Sequence, residues 1–207
     1  MIKEHTIQLF LDELASKSPT PGGGSSAAIM GAMGAALLSM VCNLTIGKKN
    51  HEAVSEEMAE VLERSEALRI ELLELVAADV EAFDQVMAAY RLPKDSDADK
   101  ALRSESIQDA LKLATAVPLR CARACASVID LSETVARKGN KNVISDAGVA
   151  VVSAHAALRS AALNVHVNVG AIRDEDFAAA SIAELDSIMV GQNERTELIY
   201  RIVRQRL

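Results

Sequence analysis

One acidic residue lies where an amphipathic helix should be apolar. Asp79 has Val76, Phe83 and Val86 as its neighbours at helical spacing, so its carboxylate belongs to the apolar face. A buried carboxylate is costly unless it is paired, and burial raises its pKa toward values useful for proton transfer. Asp79 is therefore a candidate general acid or base. The alternative is a structural bond to a Lys, an Arg or a helix end, whereas Asp84 lies on another face and is expected in solvent.

A glycine-rich run precedes an alanine-rich segment near the start of the chain. Residues 19–26 read Pro-Thr-Pro-Gly-Gly-Gly-Ser-Ser. Three glycines leave backbone N–H groups uncovered and permit positive φ, and Ser25 or Ser26 is a suitable N-cap for the helix that follows. Bare amides at the positive end of a helix bind anions. The run therefore predicts an anion or ligand site, although glycines that only turn the chain would have the same pattern.

A column of polar residues runs along the segment 146–170. At about 100° per residue, one narrow stripe collects Asp146, Ser153, Ala157, Ser160, Asn164 and Asn168. The stripe contains no Lys, Glu or Arg, which are the usual residues of an exposed helix face. His155, Arg159 and His166 line the opposite side, which we expect to face water. The polar stripe is therefore predicted to line a cleft in which Asn amides bind a heterocycle.

Two cations follow Gly47 at the end of the alanine-rich segment. Lys48 and Lys49 could simply complement the dipole of the helix that precedes them. His51 follows in the same loop, where a lone histidine is more often incidental than catalytic. These residues are weaker candidates on their own than Asp79.

The segments that position these residues all have helical patterns. The predicted helices span residues 6–16, 26–46, 50–92, 98–138, 145–170 and 174–207. Pro118 is expected to kink or break the fourth, and Gly191 to interrupt the last. No run alternates as a strand would, and no repeat of fixed period is present. The pattern predicts an all-α antiparallel bundle of about six helices, two or three of them long, in a single domain.

Small residues recur every four positions in the second predicted helix, at Ala27, Gly31, Ala35 and Ser39. They share one face, so another backbone can come close there. A run of about twenty mostly apolar residues with this spacing also fits a membrane span. Asn43 and other polar residues interrupt the run, and a buried central helix is the favoured interpretation.

Composition narrows the class of protein. A net charge of −7, with three Phe, two Tyr and no Trp, argues against a nucleic-acid binder. An odd number of cysteines indicates reduced thiols and a cytoplasmic location. Cys121 and Cys125 lie four residues apart, without the nearby histidine that a structural metal site would use. Residues 1–14 are amphipathic and charged, unlike a signal peptide, and the broad aliphatic faces suggest oligomerisation.

Taken in order, these motifs resemble the cyclodeaminase domain of formiminotransferase-cyclodeaminase and its single-domain bacterial relatives, some of which are methenyltetrahydrofolate cyclohydrolases. The resemblance covers essentially the whole chain, residues 1–207. It rests on the run 19–25 with its Ala/Gly helix, on Asn43-Leu44-Thr45 before Gly47-Lys48-Lys49, on Asp79 with Ala82-Phe83, on Leu92-Pro93-Lys94, on Pro118, on Ser145-Asp146 and on Asn164-Val165 with Asn168. It implies an all-helical homodimer with a folate site in the subunit interface.

The resemblance also implies a reaction in one-carbon metabolism. A cyclodeaminase converts 5-formiminotetrahydrofolate to 5,10-methenyltetrahydrofolate and releases ammonia, which requires an acid for the departing nitrogen and a base for N10. The alternative at the same site is methenyltetrahydrofolate cyclohydrolase activity, in which water adds to the same carbon. Neither reaction requires a metal or a cofactor beyond the tetrahydrofolate substrate. An alternative of another class is a non-catalytic helical dimer that binds a small anion.

The same resemblance distributes roles among the candidate residues. The expected catalytic residues are Asp79, Lys48 and Asp146. Asp79 would move the proton with Lys48 as its charge partner or as the acid, and Asp146 would also hold the pterin. The expected substrate-binding residues are Pro21, Gly22, Gly23, Gly24, Ser25, Asn164 and Asn168. The expected partners are the folate and a second subunit, with no nucleic acid and no membrane.

Overall fold

Within the part of the chain that the structure describes, all regular elements are helices. The structure is a computed structural model that describes residues 2–207, residue 3 by its backbone alone. The α-helices are α1 (Ile7–Leu14), α2 (Gly23–Asn43), α3 (Ser55–Tyr90), α4 (Asp97–Lys138), α5 (Ile144–Val169), α6 (Glu175–Met189) and α7 (Gln192–Arg206). Two of them, α3 and α4, are long, with 36 and 42 residues. The predicted all-α class is confirmed.

The small-residue helix α2 is the centre of the bundle. It packs against α3, α4 and α5. Ala27 and Ala35 are fully buried, and the other residues of the predicted small face are buried with them. A Cβ at Gly34 would lie 2.9 Å from the carbonyl oxygen of Ala150, so the α5 backbone comes into close contact there. The predicted close approach of another backbone is therefore confirmed.

Helices α2 and α5 run antiparallel, which decides what lies at each end of the molecule. Gly23 at the start of α2 faces Asn164 near the end of α5, whereas Gly34 faces Ala150 near the start of α5. One end of the bundle therefore carries the glycine run and the last turns of α5. The other end carries the loop that follows α2.

Two helix starts differ from the predicted ones. The N-cap of α2 is Gly22, so neither Ser25 nor Ser26 caps it, and the N-cap of α5 is Val143. Ser25 is not a cap because its hydroxyl donates to a side chain on α3. In α5 the helical path begins one turn earlier, through a 3₁₀ turn at Lys141–Val143. At Ser25, a tertiary contact overrides the local preference of serine for the N-cap.

A kink or a break was predicted at Pro118 and an interruption at Gly191; the break is absent and the interruption is present. Pro118 lies inside α4, which continues from Asp97 to Lys138 without a break. Gly191 adopts the left-handed conformation, with φ of 74°, and separates α6 from α7 as predicted. Glycine adopts a positive φ without steric cost because it has no Cβ, so the chain can turn here between the two helices.

Two helical segments are long and apolar enough to cross a membrane, by length and composition alone. They are Gly23–Asn43 and Lys141–Val169, and 61% and 50% of their apolar windows are buried inside the bundle. The core helix of a soluble protein passes the same test. The burial of α2 among three other helices agrees with the predicted central helix.

Several large apolar side chains on the surface of the bundle are exposed. Those on α2 and α5, which we call the α2/α5 apolar face, are Met33, Met40, Val149, Val152, Leu163 and Val167. Val167 is 73% exposed and Leu163 is 68% exposed. Helices normally turn such residues inward, so this face is a candidate for contact with another molecule.

Candidate functional site

Asp79 extends from the middle of α3 to the first turn of α2. The hydroxyl of Ser25 donates to Asp79 Oδ2 over 2.8 Å, and the backbone of Ser25 also bonds to the carboxylate. Ser25 is fully buried. One of the uncovered amides at the start of α2, that of Ser25, is therefore used by the protein's own carboxylate, and a ligand site at the glycine amides stays a prediction.

The protonation of Asp79 is set by two opposing effects. Burial raises the pKa of its carboxyl above the usual value, and the two hydrogen bonds from Ser25 lower it by a smaller amount. Among residue 2 and residues 4–207, no Lys or Arg forms an ion pair with Asp79. The carboxylate is thus anchored to a helix end and has no cationic partner among these described side chains. Asp84 is exposed, as predicted.

Gly24 is required by the close approach of Asp79. A Cβ on Gly24 would lie 2.0 Å from Asp79 Oδ1 and 2.6 Å from its Cγ. The positive φ that the three glycines permit is not adopted at residues 22–24. Among residues 2–207 the glycines with positive φ are Gly47 and Gly191. The missing side chain, not the backbone conformation, is what the site uses at Gly24.

A cavity of about 440 Å³ opens beside Asp79. Its floor is the glycine run, and its walls come from α3, α4 and α5. The lining residues are Pro19, Thr20, Gly22, Gly23, Gly24, Asp79, Ala82, Phe83, Val86, Met87, Tyr90, Leu111, Ala114, Pro118, Asn164, Val167, Asn168 and Ala171. A largely apolar wall with a few polar groups suits a flat organic ligand, and the volume lies within the range of small-molecule sites.

Two asparagines of the predicted polar stripe reach this cavity. Asn164 Nδ2 donates to the carbonyl of Ser160 over 2.9 Å, and Asn168 Nδ2 donates to the carbonyl of Ala114 over 3.0 Å. Each of the two side-chain amides therefore already donates a hydrogen bond to the protein. The N-terminal part of the stripe does not reach this cavity. Ser153 in that part donates to the Met30 carbonyl over 2.7 Å. The cleft prediction holds for the last turns of α5 alone.

The opposite side of α5 is only partly as predicted. Arg159 and His166 are exposed, whereas His155 is half-buried. Burial and the nearby charge of Arg159 lower the pKa of His155. The exposed surface of α5 also includes the apolar residues of the α2/α5 apolar face, which the stripe argument did not assign to solvent.

Lys48 and Asp146 do not line the cavity. Lys48 is exposed in the loop after α2, and α2 alone is about 30 Å long by its rise per residue. Asp146 lies in the first turn of α5, about 27 Å along the helix from Asn164. Both residues therefore lie at the far end of the same subunit. Their catalytic roles stay predictions that a single subunit cannot fulfil.

Several residues of the cavity wall were not predicted from the sequence. Thr20 and Pro19 belong to the quoted run without having been assigned a role, and Pro21, which was assigned one, is buried beside the cavity without lining it. Tyr90 and Leu111 come from helix ends whose meeting point depends on the tertiary fold. Helical spacing from Asp79 was the available signal for Val86, and it did indicate that residue's face.

The cysteines lie outside this cavity. Cys121 and Cys125 are buried on α4, with their sulfur atoms 4.0 Å apart. Among residues 2–207, no group of three or more His, Cys, Asp or Glu side chains is arranged to hold a metal ion. Burial raises the pKa of the third thiol, that of Cys42, to about 12, so this thiol stays protonated.

Comparison with known proteins places this chain in a family. Residues 6–187 match the formiminotransferase-cyclodeaminase family. The chain is 57% identical to methenyltetrahydrofolate cyclohydrolase of Methylorubrum extorquens over 207 residues, which is the full length of both chains. It is 34% identical to formimidoyltransferase-cyclodeaminase of Sus scrofa over 193 residues, which are 93% of this chain and 36% of that protein.

A solved structure agrees with the sequence relatives. The crystal structure of formiminotetrahydrofolate cyclodeaminase from Thermotoga maritima superposes with a TM-score of 0.84 at 34% identity. The match covers 100% of this chain and 98% of that one. A family match over most of the chain, full-length relatives and a shared fold lead to one conclusion. The chain belongs to the formiminotransferase-cyclodeaminase family.

Proposed function

We propose that this protein is a one-carbon folate enzyme that hydrolyses 5,10-methenyltetrahydrofolate to 10-formyltetrahydrofolate. The observation that carries the choice is the 57% identity, over the full length of both chains, to a protein named methenyltetrahydrofolate cyclohydrolase. The relatives named for the cyclodeaminase reaction that we compared are 34% identical or less. The resemblance had put cyclodeamination first, and this difference in identity reverses the order.

The charge of the site supports a cationic substrate. The methenyl bridge between N5 and N10 carries a positive charge that is shared by the two nitrogens and the carbon. Asp79 is a half-buried carboxylate without a cationic partner among the described side chains, those of residues 2 and 4–207. A buried charge is stabilised when an opposite charge binds next to it, so the substrate supplies the partner that the protein lacks.

The proposed reaction needs one group that first takes and then returns a proton. Asp79 takes a proton from water as the water oxygen bonds to the methenyl carbon. The bond from that carbon to N5 then breaks, and N5 receives the proton from the Asp79 carboxyl. The remaining hydroxyl proton leaves as the carbon becomes the formyl carbonyl on N10. The sum is one water consumed and one proton released, without a metal or redox cofactor.

A direct assay separates the proposed reaction from its alternatives. Purified protein is expected to accelerate the loss of methenyl absorbance from 5,10-methenyltetrahydrofolate above the rate in buffer. It is not expected to form that absorbance from 5-formiminotetrahydrofolate. Formation of the methenyl product with release of ammonia would identify a cyclodeaminase instead. No acceleration with either folate would contradict both reactions and leave the non-catalytic binding dimer.

We further propose that the α2/α5 apolar face joins two copies of the chain, and that both act in the cytoplasm, where the three unpaired cysteines stay reduced. A twofold contact that pairs the α2 helices antiparallel would bring the far end of one subunit to the cavity of the other. Lys48 and Asp146 of the partner subunit would then approach Asp79. This arrangement reconciles their expected roles with their distance from the cavity.

Mixed subunits test that arrangement. Asp79→Asn and Lys48→Ala subunits are each expected to be nearly inactive alone. After mixing and exchange, random pairing gives half of the dimers as hybrids with one intact site, or about a quarter of the wild-type activity per protein. Sedimentation velocity on each variant is the control that dimers form. Dimers that exchange without recovering activity would contradict a contribution of Lys48 across the interface.

A further inference from the structure

Pro118 lines the cavity from inside a long continuous helix. A proline has no N–H, so it cannot donate to the carbonyl four residues earlier, and its ring pushes that carbonyl away from the helix axis. In α4 the carbonyl in question belongs to Ala114. Both residues line the cavity beside Asp79. The proline therefore leaves this carbonyl, at the wall of the site, without the helical N–H donor that would otherwise share it.

The acceptor is used by a side chain from another helix. Asn168 Nδ2 on α5 donates to the Ala114 carbonyl over 3.0 Å. Because a carbonyl can only accept, the NH₂ group of the amide must face it. Among residue 2 and residues 4–207, no group donates a hydrogen bond to Oδ1 of Asn168, and this oxygen is not enclosed by the protein. The bond to Ala114 thus fixes which end of this amide is free for a ligand.

We propose that Pro118 is a positioning residue of this site, which acts through the Ala114 carbonyl to hold Asn168 with its amide oxygen free for the ligand. The group recognised is an N–H donor edge, such as the amino and ring N–H groups of a reduced pterin. This identification of the ligand rests on the function proposed above. The orientation of the Asn168 amide does not rest on that function, because it is a property of the ligand-free protein.

Asn164 provides an internal comparison. Its Nδ2 also donates to a carbonyl, that of Ser160, over 2.9 Å, but the acceptor is four residues earlier on its own helix. The orientation of Asn164 therefore needs nothing from α4. A change at Pro118 is expected to affect Asn168 and to leave Asn164 unaffected.

Two substitutions at Pro118 test the proposal. Both restore the backbone N–H at this position, and only Pro118→Ala also removes much of the side-chain volume. Pro118→Ala and Pro118→Val are each expected to raise KM for 5,10-methenyltetrahydrofolate about three- to ten-fold, the effect of one neutral hydrogen bond, with kcat within about two-fold. Circular dichroism is the control for folding. An effect of Pro118→Ala that Pro118→Val does not share would show that the ring acts by its shape, and would overturn the proposal.

A double-mutant cycle decides whether Pro118 acts through Asn168. In the Asn168→Ala background, Pro118→Val is expected to change KM by less than about two-fold, since the group it positions is gone. Equal effects in both backgrounds would overturn the proposal. The ligand-free protein gives an independent readout: the side-chain amide resonances of Asn168 are expected to shift in Pro118→Val while those of Asn164 do not. If wild-type protein turns over neither folate, this NMR comparison still supports or contradicts the positioning role.

Discussion

Replacing Asp79 with Asn is expected to lower kcat/KM for 5,10-methenyltetrahydrofolate by about 10²- to 10⁴-fold, the range that a positioned proton-transfer group contributes. Asn keeps the size of the side chain and an oxygen that can accept the Ser25 hydroxyl, 2.8 Å from the carboxylate in the wild type. It cannot take a proton from water, and it carries no negative charge for the methenyl cation. Steady-state kinetics on the purified variant measure the loss.

The same variant is expected to fold at least as well as the wild type. Burial raises the pKa of Asp79, so the folded state binds this proton more tightly than the unfolded chain does. Stability therefore falls as pH rises above the unfolded pKa, until the folded carboxyl has also ionised. Asn lacks that penalty, so Tm at neutral pH should be equal or higher. Exposed Asp84 on the same helix provides the control, because Asp84→Asn should keep full activity. An active Asp79→Asn protein would support a merely structural carboxylate.

The pH dependence of kcat/KM provides a second test of Asp79 as the base. The bonds from Ser25 lower the pKa of Asp79 against the larger effect of burial. Ser25→Ala removes one of these bonds, so the pKa of Asp79 should rise further. Because the ionised carboxylate is the active form, the acid limb of kcat/KM should move to higher pH. A limb that stays in place would assign it to another group.

The position of Asp79 could be predicted because helical spacing is a local property. Val76 and Phe83 lie one turn on either side, and they fix the face on which the carboxylate lies before any tertiary contact is known. The same reasoning located Asn164 and Asn168 on one stripe. It extended the stripe too far, to Asp146, since periodicity gives the face of a helix but not how much of its length borders a cavity.

What the sequence could not provide was the contact between elements. Ser25 has the residue type and the position of an N-cap. Nothing in the local sequence indicates that its hydroxyl donates instead to a carboxylate on α3. Lys48 was assigned to the site because it follows a motif that resembles the family, although about 30 Å of helix separates it from the glycine run. A contribution of Lys48 to the cavity therefore depends on the proposed second subunit.

Gly24→Ala is expected to reduce kcat by about 10²-fold or more while the protein stays folded. The added methyl carbon would lie 2.0 Å from Asp79 Oδ1, so the carboxylate must move by more than an ångström to reach ordinary contact. A carboxylate at the end of a side chain can rotate away, and alanine suits a helix better than glycine, so the stability cost should be small. Displacing a reacting group by about 1 Å costs catalysis on the order of 10²-fold.

Gly23→Ala is the matched control for that prediction. Gly23 and Gly24 lie in the same first turn of α2, and neither has positive φ, so alanine strains the backbone at neither position. At Gly23 the nearest atom to an added Cβ is the Asn164 amide at 3.8 Å, an ordinary contact. Its methyl can touch the ligand and alter KM, but kcat should stay within about two-fold because Asp79 keeps its place. Equal kcat in the two variants would mean that catalysis does not depend on where the Asp79 carboxylate lies, and the proposed proton transfer would then need another residue.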